Sequence, residues 1–429
     1  MSVINKLMLF IIFSLLISSF FKKDKIVSAL FLTGLTQIGM FFPILGKIRF
    51  EFLIGIFSIL IVLLSSNNLN RLSAKTNPIS KYYYFFIIIT ILSIPFSVSK
   101  SDSIYWFIYY CKRCFILFFL VVVLLDDQTK IKNFIWMYLI GITWLSFGAF
   151  HNYLTGSNIV IVGGVERVRG ITGLLSNPNG LANTLVGALP IIYYIFVGTR
   201  NKITKLFLIA SGVTSFIAIF MTGSRGGFIG LTSTLFFISL FSKNKLKNLI
   251  IATIILITSL AMIGPQLFER YSTILQLGNS DISAHSRLDG LVHGISMLIK
   301  RPLLGVGIGC YPVARKKWFN WSLWAHNHYG QLMGELGILG TISWSLLVYH
   351  TIKSIRALRQ FVIHNQLLEK FSFIYHLTLG IEVATYVRLI LGMTTHSLHI
   401  FFWYLNAGLV VTSQIIIKET YLKNNEINV

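Results

Sequence analysis

Arginine, histidine and a few carboxylates are the residues of this chain that could do chemistry, and they gather in short stretches between long apolar runs. Arg225 stands in 221-MTGSRGGFIG-230, with glycines at 223, 226 and 227 that let a ligand come close to the backbone. A guanidinium at the edge of hydrocarbon is costly unless an anion or water meets it. No acidic residue lies near it in sequence, so Arg225 either binds an anion or snorkels to lipid headgroups. Arg287 opens 286-SRLDGLVHGISMLIK-300 and taken alone reads as a solvated surface charge. Taken together, such groups gain meaning, because the planar fork binds phosphate oxygens bidentately and two or three forks can neutralise a departing diphosphate. Arg167 and Arg169, in 163-GGVERVRGITGLLSNPNGLAN-183, are further candidates, although Glu166 could simply pair with one of them.

His326 is followed by Asn327 and His328 just before an apolar run, with Glu335 further along. Imidazole titrates near neutrality, so it suits removal of a proton from an attacking hydroxyl. The alternative is structural, since His-Asn-His is also a common way to cap the start of a helix. Two histidines one residue apart could bind a metal, but no third ligand follows at a convincing spacing. The run 305-GVGIG-309 lacks the dinucleotide spacing and a strand–turn–helix setting, and reads as a flexible turn. There is no Walker loop and no kinase motif, so any reaction must draw its energy from an activated substrate.

The elements that must position these residues are membrane helices. Of 429 residues, 55% are hydrophobic and 12% charged, and the mean hydropathy is +0.73. Apolar runs of bilayer-crossing length recur at 5–21, 26–44, 49–66, 82–98, 103–125, 131–150, 181–198, 205–223, 227–242, 248–265, 335–352, 371–393 and 398–417. The expectation is an all-α polytopic protein of about twelve spans, forming one membrane domain over 1–429. The 37 Lys and Arg against 14 Asp and Glu reflect cytoplasmic loop bias rather than nucleic-acid binding. Placing 71-RLSAK-75, 200-RNKITK-205, 243-KNKLK-247 and 353-KSIRALR-359 inside turns 151–180, the 222–227 turn and 266–334 outward, and puts the C-terminal tail inside. Thirteen runs would leave the N-terminus outside, and twelve would bring it inside, so one of the first three runs is a candidate for a half-span. The first run lacks a small-residue cleavage site before 22-KKDK-25 and reads as a retained span. Cys111 and Cys114 form a lone CxxC in a membrane helix, which favours packing over metal binding.

The segment 266–334 is too long for a plain connection. Leu288, Leu291, Ile295, Leu298 and Ile299 recur at helical spacing and predict an amphipathic helix stopped by Pro302. Seven basic residues stand there against three acids, with the aromatic stretch 318-WFNWSLW-324 beside them. Such a loop suits the membrane surface and an anion, of which a lipid phosphate is the obvious one.

The ordered set GSRGG (223–227), SRLDG…IKRPLLGVGIG (286–309) and AHNHYGQLMGELGILG (325–340), preceded by 169-RGITGLLSNPNGLAN-183, resembles the O-antigen ligase and polymerase superfamily over roughly 160–345. The resemblance implies a glycosyltransferase of the outer face of the bacterial inner membrane. Such a ligase moves a polysaccharide from undecaprenyl diphosphate to a sugar hydroxyl of lipid A–core, using neither metal nor cofactor. The implied partners are that lipid-linked donor, the lipid A–core acceptor and membrane lipids. Arg225 and Arg287 match the family's diphosphate-binding arginines, and His326 matches the histidine assigned to the acceptor hydroxyl. An inverting displacement follows, with Arg169 a weaker candidate for the same work, and with His328, Glu335 and Asn179 supporting. A polymerase that joins repeat units on the same carrier, or a ligase acting on protein, fits the same motifs. A transporter is the reading from another class, and it sits poorly with spans whose main ionisable residues are Arg113 and Glu382.

Overall fold

A computed structural model of the protein describes residues 3–73, 77–162, 164–170, 177–262, 265–272 and 282–426. These are almost entirely helical. The chain begins with α1 (Val3–Ser19) and α2 (Lys25–Thr36), then a 3-10 turn, the short α3 (Pro43–Lys47) and α4 (Phe50–Leu63). At 1.5 Å per residue α2 and α4 are about 18 and 21 Å long, short of a hydrocarbon core of about 30 Å. The Lys23 ammonium before α2 donates to the Leu64 carbonyl after α4 at 2.9 Å, so the pair starts and ends at one level. The second and third apolar runs therefore form a hairpin of two helices, each shorter than the hydrocarbon core.

There follow α5 (Pro78–Ser93), α6 (Lys100–Tyr110), a π turn at Cys111–Phe115, α7 (Ile116–Leu124) and α8 (Gln128–Leu154). A hairpin of β1 (Ile159–Val162) and β2 (Val165–Val168), with Val162 opposite Val165, is a small departure from the all-α expectation. Then come α9 (Pro178–Gly198), α10 (Lys202–Met221), α11 (Arg225–Leu240), α12 (Lys245–Met262) and α13 (Pro265–Ser272). The remainder is α14 (Ile282–Lys300), α15 (Tyr311–Phe319), α16 (His328–His364), α17 (Ser372–Leu391) and α18 (Phe402–Glu426). Among the described residues six helical stretches are long and apolar enough to cross a membrane, and five shorter apolar helices accompany them, so length and composition do not bear out a full twelve.

Two local arrangements decide where the site forms. The first is the crossing of α14 over the start of α16. A Cβ on Gly290 would fall 1.7 Å from the Ala325 carbonyl oxygen, and one on Gly294 would fall 2.2 Å from that of Gly330. Only bare backbone lets the helices approach this closely. The second is a break in α16 at Gly337 (φ 64°, ψ −160°). Here the 302–309 segment lies against the helix: Val306 N–H donates to Gly334 O at 2.9 Å, Gly307 N–H to Glu335 O at 2.9 Å, and Ile338 N–H to Pro302 O at 2.8 Å. The Gly309 N–H reaches the Glu335 carboxylate at 3.0 Å. The 305–309 run is thus pinned to α16, which corrects its reading as a flexible turn.

Candidate functional site

Three helices that bring candidate residues to the site start from side-chain caps. Asn177 Oδ1 accepts from Asn179 N at 2.9 Å at the start of α9. Ser224 Oγ accepts from Gly227 N at 3.1 Å at the start of α11, and Asn327 Oδ1 from Gly330 N at 3.0 Å at the start of α16. Each cap fixes a helix N-terminus, the positive end of its dipole, beside a candidate residue. Asn179 follows Pro178, Arg225 is the first residue of α11, and His326 immediately precedes its cap. The His-Asn-His motif therefore does both jobs that the sequence left open: Asn327 caps, and His326 is left outside the helix in a left-handed conformation (φ 47°) that costs a non-glycine residue strain.

A cavity of about 560 Å³ collects the site, and His326, Arg287 and Asn179 all line it. Arg167 joins them from β2. Its Nη2 donates to Asn179 Oδ1 at 2.7 Å and its Nε to Thr222 O at 2.7 Å, which ties the hairpin to both α9 and the turn before Arg225. Arg270 Nε donates to Gly223 O at 2.7 Å, and the Tyr271 hydroxyl to Phe220 O at 3.0 Å, so α13 clasps the same turn. Burial, together with the charges of Arg270, Arg225 and Arg287, lowers the Arg167 pKa to about 10. Four guanidinium groups thus converge, three of them foreseen in the sequence and Arg270 missed. A Cβ on Gly226 would meet Thr394 Oγ1 at 2.9 Å, which sets the Arg225 end of α11 against a residue of the cavity wall. Arg169 takes part through its backbone: its N–H donates to Asn158 O at 3.2 Å, and its carbonyl accepts from Asn152 at 3.3 Å.

His326 packs edge to face on His396, ring centroids 5.0 Å apart, and His396 lies 5.2 Å from His399. Trp324 stacks on His396 at 5.3 Å. Burial lowers the His326 pKa below the usual histidine value, with the nearby charges of Arg287 and Arg315 in the same direction, so the ring is neutral at pH 7 and able to take a proton. His396 is likewise held well below its usual range by burial and by the neighbouring imidazoles. Arg315, fully buried, donates to His293 Nδ1 at 2.9 Å and to Trp324 O at 3.2 Å, and so fixes the chain just before His326.

His328 and Glu335 lie behind the cavity wall. His328 bonds Ser397 Oγ at 2.9 Å and packs against Trp344, while the Glu335 carboxylate accepts from Gly309 N–H and from Gln331 Nε2 at 3.3 Å. Gln331 Oε1 in turn accepts from Leu398 N–H at 3.3 Å, so both residues hold the 396–399 segment in place. Among the described residues no group of three His, Cys, Asp or Glu is placed to hold a metal ion. Arg113 and Glu382, singled out in the spans, are both paired: Arg113 with Glu51 at 3.1 Å, and Glu382 with Arg356 at 2.7 Å and with Arg359. Glu51, His396 and His399 also line the cavity and were missed, because each sits within or beside an apolar run with no motif around it.

Residues 209–345 match the family model described as O-Antigen ligase. No curated protein matches the chain at a significant level. The matched stretch runs from α10 into α16 and contains Arg225, Arg287 and His326, so over that stretch this helical chain is similar to the O-antigen ligase family.

Proposed function

We propose that the protein is an O-antigen ligase of the inner membrane, with its active site on the periplasmic face. It transfers a polysaccharide from undecaprenyl diphosphate to a sugar hydroxyl of lipid A–core. The observation that carries this reading is one cavity lined by His326, Arg287 and Asn179, with Arg167 bonded to Asn179 from outside that lining.

The chemistry follows from that pairing. The acceptor hydroxyl gives its proton to His326 as its oxygen attacks the anomeric carbon. The bond from that carbon to the diphosphate oxygen breaks with its electron pair on oxygen, and the anomeric configuration inverts. Arg225 and Arg287 neutralise the departing undecaprenyl diphosphate, with Arg167 held against the same cluster. No metal has a step in this scheme. Asn179 orients Arg167, while His328 and Glu335 brace the wall that carries His396.

The test is a lipopolysaccharide profile with chemical analysis of lipid-linked glycan in a deletion strain, complemented with wild type, Arg225→Ala or His326→Ala. The ligase reading expects loss of long-chain bands and accumulation of polymer on undecaprenyl diphosphate. Single-unit caps would instead identify a polymerase, and an unchanged profile in both variants would refute the assignment of these residues.

A further inference from the structure

The charges singled out in the spans are met by opposite ones: Arg113 bonds Glu51 at 3.1 Å, and Glu382 bonds Arg356 at 2.7 Å. Arg388 of α17 is different. It is only 5% exposed, no carboxylate among the described residues pairs with it, and its Nε and Nη2 are buried without a hydrogen-bond partner. Its guanidinium carbon lies 3.9 Å from the centre of the Phe402 ring, a cation–π contact that leaves the N–H groups unmet. A cation held this way inside a span is costly, and such residues mark functional sites.

The fold makes room for this costly group. A Cβ on Gly187 would fall 2.0 Å from Arg388 Nη2 and 2.7 Å from its Cζ, so α9 carries glycine where the guanidinium lies. Asn183, one turn away on the same face of α9, lines the cavity with its Oδ1 buried and unbonded. Phe402 lines the cavity as well, and so do Thr394 and His396, which follow α17. Tyr138, whose hydroxyl is also buried and unbonded, packs edge to face on Phe402 at 6.0 Å. Arg388 is therefore sealed behind the cavity wall by the Phe402 ring. Gly187 lies about 12 Å along the helix from Asn179, the partner of Arg167.

We propose that Arg388 is a further positioning residue of the transfer reaction: a fixed positive charge behind the cavity wall that adds to the pull of Arg167, Arg225 and Arg287 on the donor without touching it. The inference rests on the ligase reading, from which it takes the diphosphate of that donor. Two unit charges about 12 Å apart at an effective dielectric of about 20 interact strongly enough to shift binding about tenfold. Burial keeps salt from screening the charge.

The test uses the purified full-length protein in nanodiscs with two variants. Arg388→Met keeps the length of the side chain and removes its charge, and Arg388→Lys keeps the charge. Native mass spectrometry with undecaprenyl diphosphate reads binding independently of transfer. Arg388→Met should melt above wild type, because it removes an unpaired buried cation, and should still retain the lipid about tenfold less well, at low and at high salt alike. Arg388→Lys should restore retention to within about threefold of wild type. In the transfer assay the Met variant should raise the donor KM about tenfold and leave the acceptor KM unchanged. A lowered Tm for Arg388→Met would show that the guanidinium serves packing, and wild-type retention by the folded Met variant would show that its charge does not reach the cavity; either result overturns the proposal. Failure of the ligase reading has a separate signature, namely normal transfer by His326→Ala whatever the Arg388 variants bind.

Discussion

Gly290→Ala tests whether the α14–α16 crossing sets the distance between Arg287 and His326. The added Cβ would lie 1.7 Å from Ala325 O, against an ordinary separation of about 3.5 Å between such atoms. The neighbour is backbone, so no side chain can swing away, and the helices must shift by more than 1 Å. Arg287 stands one turn before Gly290, and Ala325 immediately precedes His326, so the shift falls directly between the two. Misplacement by about 1 Å can cost about 10²-fold in rate, whereas overpacking a core costs about 1–3 kcal/mol of stability. The variant should therefore remain folded, with a lowered Tm, and lose about 100-fold in kcat/KM for glycan transfer. Gly55→Ala is the control, because a Cβ there meets nothing within 4 Å, and it should match wild type in both measurements. Wild-type turnover by a monodisperse, cooperatively melting Gly290→Ala protein would refute the argument that this crossing places the site.

The acid limb of the pH profile offers a second check. Because the His326 pKa is lowered, its neutral form persists as pH falls, and kcat/KM should hold until below the ordinary value of about 6.5. Diphosphate beside Arg287 offsets one cause of the lowering, so the acid limb of kcat should lie at higher pH than that of kcat/KM; coincident limbs above 6.5 would argue against His326 as base. Glu335→Leu should act on stability, since it strands the buried Gly309 N–H and the Gln331 amide at about 1–3 kcal/mol each; a normal Tm would remove its bracing role. Asn179→Ala should weaken donor binding about tenfold, the equivalent of one charge-assisted hydrogen bond, by freeing Arg167. An unchanged donor KM would count against that pairing.

The sequence made the helical membrane class legible through run length and composition, and its motifs pointed to Arg225, Arg287 and His326 because Gly, Ser and Asn around them carry cap and close-approach signals. Other features left no such trace. Glu51 and Lys112 lie in apolar runs whose lengths suggested full spans, and only the Lys23–Leu64 bond shows that α2 and α4 turn back together. The sequence offers Glu335 as a supporting residue on the helix that begins after His326. The break at Gly337 instead turns it towards the 305–309 backbone, a long-range partnership that no local pattern encodes.

The arrangement also explains why glycine recurs at the site while acids are scarce there. The charges of Arg270, Arg225 and Arg287 all act against the charged form of Arg167. Backbone must hold them: the carbonyls of Phe220, Thr222 and Gly223 receive Tyr271, Arg167 and Arg270, and α14 is pressed onto α16 through bare glycines. Under the proposed function the donor's diphosphate meets this cluster, which places the stabilising interaction where the leaving group develops its charge.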